Sequence, residues 1–217
     1  MKPNIRVKSI EVLSDDWAML KKTTLEYQRR DGTWETQIRQ TYDRGDGAAI
    51  IPFDPVRQTV LLVRQFRYVA YVTGHEEALI EACAGLLDAD DPETCIRKEA
   101  EEELGYRLRD VHRLYSPYMS PGSVTERLWF FLAEYSPEDR ISEGGGHADE
   151  GEDIEVLEMG LDEALEAVHD GRIIDAKAIM LLQHLKLEML TGGYQGASTT
   201  ASKTSGWRGR HTAKHSG

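Results

Sequence analysis

The stretch from Ala82 to Tyr106 constrains this 217-residue chain more than any other. It opens at the end of an apolar run, passes through Gly85-Leu86-Leu87-Asp88 and continues into a helix with both ends marked. Asp91 can accept hydrogen bonds from the free N–H groups of the first turn. Pro92 suits the first helical position, where its missing N–H would have no partner, and Gly105 suits a left-handed closing residue. Ile96, Ala100 and Leu104 recur every four residues and form a stripe that can pack on a sheet. A helix is therefore expected over residues 91–104, after a buried strand and a glycine-containing loop.

The same helix carries an unfavourable charge pattern. Glu99, Glu102 and Glu103 stand at i, i+3 and i+4, where like charges each cost about a few tenths of a kcal/mol. They also occupy the C-terminal half, where the helix dipole disfavours negative charge. A divalent cation is the natural counter-charge, because Mg²⁺ prefers carboxylate oxygen and can bridge to phosphate oxygens. The competing reading is a solvated acidic face.

The rest of the chain supplies a setting for this helix. Residues 5–43 alternate apolar and polar side chains around turn signals, with Arg29-Arg30-Asp31-Gly32 reading as a hairpin turn. Three such strands have a weak core of their own and are expected to lie against the main domain or a second subunit. Residues 48–53, 60–63 and 78–83 read as strands buried on at least one face, as do 114–119, 128–135 and 154–159. Residues 161–168 and 176–190 have helical spacing, with Asp175 as N-cap of the second. Strands, helix, strands, helices imply an α/β (α+β mixed) fold, a mixed sheet with helices on its faces.

The formal charge of −12 argues against a nucleic-acid binder, which would carry a basic stripe. Residues 195–217 hold Lys203, Arg208, Arg210 and Lys214 and no carboxylate, so they carry +4 and leave −16 on residues 1–194. This Gly-, Ser- and Thr-rich tail, taken from residue 192, reads as disordered. Cys83 and Cys95 are too few for a disulfide framework and read as reduced core thiols. Without a leader-like N-terminus or a run of roughly 18 apolar residues, the expectation is no membrane and a cytoplasmic location.

Counted back from Gly105, the acidic segment resembles the Nudix hydrolase signature: Gly, five residues, Glu, seven residues, Arg-Glu, an aliphatic residue, any residue, Glu-Glu, any residue, Gly. Glu102 and Glu103 fall on the paired glutamates and Glu99 on the single one. Two departures stand out. Counted from Gly85 the loop is one residue short, with Asp91 in place of the first Glu, and Lys98 replaces the usual Arg beside Arg97. Tyr42-Asp43-Arg44-Gly45, Val63-Arg64-Gln65-Phe66-Arg67, Cys83-Ala84-Gly85-Leu86-Leu87-Asp88, Tyr118-Met119-Ser120-Pro121-Gly122 and Asp153-Ile154-Glu155-Val156 extend the likeness. Together they resemble the GDP-mannose hydrolase branch, near the ADP-ribose pyrophosphatases, across residues 5–190.

The resemblance implies a Nudix α/β/α sandwich over residues 44–191, with an N-terminal sheet over 1–43 that crosses to the partner of a homodimer. It implies a Mg²⁺ site, with Mn²⁺ as substitute, made by Ala84, Glu99, Glu102, Glu103 and Glu152. Glu102, Glu103 and Glu152 are its catalytic carboxylates. Glu152 comes from the loop 144–153, whose three glycines suggest a mobile lid, and Glu150 competes for the same role. Trp17, Ile38, Arg39, Gln40 and Arg67 are implied to contact the nucleotide from the partner subunit. Gly85, Leu86, Glu126, Gly151 and Lys177 are implied to do so from the home subunit, together with Ala84, Glu103 and Glu152. The expected substrate is a nucleoside diphosphate sugar, first GDP-mannose and second ADP-ribose. A catalytically silent nucleotide-sugar sensor is the reading from a different class.

Overall fold

The computed structural model describes residues 3–147, 149 and 151–194. Glu150 and the basic segment from residue 195 lie outside the described residues. The described residues divide into two compact units, the first within residues 3–47, 86–89 and 116–128 and the second within residues 48–85, 90–115 and 129–194.

The first unit is built on an antiparallel meander of β1 (Ile5–Asp15), β2 (Met19–Gln28) and β3 (Trp34–Asp43), with β2 in the middle. The expected hairpin is present: Gln28 pairs with Trp34, Gly32 takes φ +88°, and Asp31 accepts from the Thr33 N–H at 2.9 Å. Strand β1 is exposed along its length and slips register between Val7 and Ser9 and between Val12 and Ser14. Such irregularities are common on edge strands. Ile5, Val7, Ile10 and Val12 are all more than half exposed, as the weak core of this region predicts.

The second unit holds a seven-stranded sheet: β4 (Gly47–Asp54), β5 (Thr59–Gln65), β6 (Leu79–Glu81), β7 (Cys83–Leu86), β8 (Val111–Arg113), β9 (Leu128–Glu134) and β10 (Ile154–Gly160). The main path runs β10-β5-β4-β9-β8, with β6 beside β5 and β7 beside β4. β10 and β5 are antiparallel, whereas the bonds Gly47 N–H to Arg127 O and Tyr135 N–H to Phe53 O carry β4 and β9 in the same direction. The sheet is therefore mixed, as expected. Every residue of β4 is buried, and Ile50, Ile51, Phe53, Leu61, Phe130 and Leu132 form the core with Ile96 and Leu104. Helices are α1 (Tyr68–Val72), α2 (Pro92–Glu99), α3 (Leu161–His169) and α4 (Ala176–Thr191).

Three expectations change. The run 78–83 splits into β6 and β7, because the Ala82 N–H leaves the ladder and donates to Asp175 at 3.2 Å. Of residues 114–119 none forms a regular strand; β8 ends at Arg113 and Pro117 has no N–H to donate. The helix over 91–104 is α-helical only to Glu99 and closes as a π turn, Ala100–Leu104, with Gly105 at φ +77° donating back to Ala100 O. Such five-residue spacing is rare and concentrates at functional sites.

Asp91 caps α2 as expected, accepting from the N–H groups of Glu93 and Thr94 at 3.1 and 3.2 Å. Asp91→Ala is expected to lower unfolding stability by about 1 kcal/mol, read as a lower urea midpoint at unchanged slope. An unchanged midpoint would show that the cap contributes nothing.

Candidate active site

The three helix glutamates meet different environments. Glu103 is 2% exposed, and its Oε2 accepts from the Ala84 N–H at 3.2 Å, with the Cys83 thiol as a second partner. Burial pushes its carboxyl up to about 7 against these hydrogen bonds. Glu99 is half-buried, and its carboxylate fills the space over Gly85, where an added Cβ would collide with it. Glu102 is exposed, its Oε1 lying 3.4 Å from His147 Nε2. Thus β7 touches Glu103 and Glu99, through Ala84 and Gly85, while Glu102 turns toward the loop bearing Glu152.

That loop is docked on the helix end. The π turn leaves the last carbonyls outside the α-helical ladder, and the Gly145 and Gly146 N–H groups take Glu103 O at 2.9 Å and Glu102 O at 3.1 Å. Residues 144–146 all have positive φ, and a Cβ at Gly144 would strike Glu103 O. In this structure the glycines provide close approach and satisfied carbonyls. Glu152 Oε2 accepts from the His147 N–H at 2.9 Å, and the charge of Glu152 adds to the upward shift of Glu103.

The expected cations Arg67 and Lys177 share a carboxylate that sequence reasoning missed. Glu81, at the end of β6, accepts from Arg67 Nε at 2.6 Å and from Lys177 Nζ at 2.9 Å. Asp175 holds Lys177 Nζ at 2.8 Å while capping α4. Burial opposes the charge on Glu81, but Lys177 and Arg67 outweigh it and hold its carboxyl below the usual range. The available signal was one acidic residue inside the apolar run Leu79-Ile80-Glu81-Ala82, since a buried carboxylate requires a cation. Lys98 Nζ meets Asp90 at 2.6 Å, with the charge of Glu102 also acting on it, and Arg97 meets Glu93 at 2.7 Å.

The remaining candidates Trp17, Ile38, Arg39, Gln40, Leu86 and Glu126 belong to the first unit. Trp17 is 69% exposed, with the Arg44 guanidinium 5.9 Å from its ring centre. Arg44 Nε also donates to the buried Glu126 at 2.7 Å. Arg39 donates to Ile38 O at 2.9 Å and Gln37 Oε1 at 2.7 Å. Gly151 belongs to the second unit and has φ +77°.

The NUDIX domain family model matches residues 43–182, and the model described as the GDP-mannose pyrophosphatase NudK N-terminal domain matches residues 4–42. The chain belongs to the Nudix family. It is 49% identical to a GDP-mannose pyrophosphatase of Klebsiella pneumoniae subsp. pneumoniae, over 89% of this chain and 97% of the relative. It is 51% identical to one of Pectobacterium atrosepticum, over 85% and 95%. The crystal structure of an ADP compounds hydrolase shares the fold, at TM-score 0.67 and 17% identity over 89% of this chain and 97% of that one.

The protein is therefore a Nudix hydrolase, a family that generally uses divalent metal ions. The donors suit a hard cation: carboxylate oxygens, and a buried Glu103 with no ion-pair partner among the described residues. Among the described residues no three His, Cys, Asp or Glu side chains already converge to metal-binding distance.

Two outcomes follow for this Nudix site. A carboxyl that binds its proton more tightly folded than unfolded stabilises the fold at low pH and loses that contribution as pH rises, here from 4.5 to about 7. Metal-free wild type is thus expected to weaken between about pH 5 and about pH 8 relative to Glu103→Gln, by on the order of a few kcal/mol. Parallel urea-stability curves for the two proteins would refute the burial argument. Gly85→Ala is expected to leave the melting temperature nearly unchanged, because the Glu99 carboxylate can swing aside, yet to weaken Mn²⁺ binding by roughly tenfold or more. Unchanged Mn²⁺ affinity by calorimetry would separate Glu99 from the metal.

Proposed function

We propose that this Nudix hydrolase cleaves the diphosphate of GDP-mannose with Mg²⁺, Mn²⁺ substituting, to give GMP and mannose 1-phosphate. The geometry supports diphosphate hydrolysis through one observation above all: the buried Glu103 carboxylate held by the Ala84 N–H of β7, with the Glu99 carboxylate against Gly85 of the same strand. The base and sugar are inferred from the near-full-length likeness to GDP-mannose pyrophosphatases. A fold shared at 17% identity carries no weight for ADP-ribose.

Glu99, Glu102, Glu103 and Glu152 would hold the cation with the Ala84 carbonyl. When bound, it neutralises phosphate oxygens and lowers the pKa of water. Arg67 and Lys177 grip the diphosphate, the guanidinium as a planar fork and the ammonium as a point charge. Glu152 accepts the proton of the attacking water; a P–O bond to the bridging oxygen breaks and a P–O bond to water forms. Gly85, Leu86, Glu126 and Gly151 border the nucleotide. In this reading residues 1–43 cross to the partner of a homodimer, covering the apolar side chains of β1. Trp17, Ile38, Arg39 and Gln40 then reach the partner's site, whereas Arg67, implied by the resemblance to do the same, is held by Glu81 beside Lys177 and is assigned here to the home site. No helix among the described residues is long and apolar enough to cross a membrane, which accords with a cytoplasmic enzyme.

The test is product analysis of the full-length protein with Mg²⁺ and GDP-mannose, GDP-glucose, ADP-ribose or ADP-glucose. GDP-mannose should turn over fastest, and Glu103→Gln should lose roughly a thousandfold in rate while remaining folded. Faster turnover of ADP-ribose would transfer the assignment to that substrate, and no turnover of any of the four would favour a sensor. Mixing inactive Arg39→Ala with inactive Glu103→Gln should restore activity if subunits share sites. Failure despite proven exchange would remove the crossover.

A further inference from the structure

Glu81 is a fully enclosed carboxylate to which nothing above gives a chemical role. Its side chain is 4% exposed, that of Lys177 16% and that of Arg67 43%, so the group runs from a buried anion outward to two increasingly accessible cations. The cations arrive from distant parts of the chain. Arg67 follows β5, Lys177 lies in the first turn of α4, and both place donors on Glu81 Oε2, Arg67 Nη2 at 3.3 Å and Lys177 Nζ at 2.9 Å. Arg67 spends Nε and Nη2 on Glu81 and keeps Nη1 uncommitted among the described residues. Asp175 is fixed by the N–H groups of Ala82 and Ala178 at 3.2 and 3.0 Å, and so anchors Lys177 from the other side.

A buried ionic group of this kind gives little net stability, since desolvating the charges offsets their attraction. Placement is the better account of it. Two cations brought together without an anion between them would repel and swing apart. A shared carboxylate removes that repulsion and holds the two cations on one oxygen, Glu81 Oε2. The charge of Arg67 also acts on Glu103, in the π turn that follows α2.

We infer that Glu81 is a positioning residue that mounts Arg67 and Lys177 as a two-pronged clamp for the diphosphate. This rests on the reading of those cations as phosphate ligands, so the probe is chosen to be independent of sugar and base. Metal-free full-length protein is titrated with inorganic pyrophosphate by calorimetry, as wild type, Glu81→Gln, Glu81→Asp, Arg67→Ala and the Glu81→Gln/Arg67→Ala double variant. Wild type should bind, and each of Glu81→Gln and Arg67→Ala should weaken binding by about tenfold or more. The double variant should be no weaker than the worse single, and Glu81→Asp should recover part of the loss. With a hydrolysed nucleotide sugar, Glu81→Gln should raise KM more than it lowers kcat, which general loosening of the fold would not do.

Wild-type affinity in Glu81→Gln, full additivity in the double variant, or no pyrophosphate binding by wild type would each overturn the clamp. If Glu81→Gln does not fold, the same comparison is made with Glu81→Asp, which keeps the charge and shortens the reach. Its binding pyrophosphate as well as wild type would overturn the clamp. Pyrophosphate binding that survives alongside failure to hydrolyse GDP-mannose would sink the proposed substrate and leave the clamp standing.

Discussion

The site depends on how the end of one helix is held. Glu103 is gripped twice, its carboxylate by the Ala84 N–H of β7 and its backbone carbonyl by the Gly145 N–H of the following loop. The last carbonyls of a helix have no donor within it. Gly105 closes the π turn at residues 100–104, and the N–H groups of residues 145 and 146 take the carbonyls of Glu103 and Glu102. Strand, helix and glycine loop are thereby locked together, and the carboxylate left inside is one that water cannot solvate. That exclusion explains both its raised proton affinity and its suitability for a hard cation.

Around this carboxylate, charge is arranged by burial. Glu81 and Asp175 are neutralised by Arg67 and Lys177, while Glu103 has no such partner among the described residues. The second unit therefore sets a compensated acidic group and an uncompensated one on the same side of its chemistry. A net charge of −12 would otherwise repel an anionic substrate, and placed cations or a bound metal ion answer that.

Much of the architecture was legible in the residues. The Asp31-Gly32 turn, the alternation through residues 5–43, the Asp91 and Asp175 caps and the apolar runs of β4, β5 and β9 are signals written by near neighbours, and each produced its element. The carboxylates at 99, 102 and 103 were visible as an anomaly for the same reason, since like charges one helical turn apart need an explanation. Less legible was the fate of residues 114–119, whose apolar content suggested a strand although Pro117 interrupts the donors.

What the sequence determined by itself was local order and kinship: where elements begin and end, and which helix bears the acidic cluster. Only the tertiary structure decided which of its three glutamates is buried, that the glycines of residues 144–146 meet the end of the acidic helix, and that Glu81 gathers Arg67 and Lys177. The physical reason is distance along the chain. Caps and periodicity act within a few residues, whereas solvation and ion pairing are set by groups brought together from β6, β7 and α4, up to 96 residues apart.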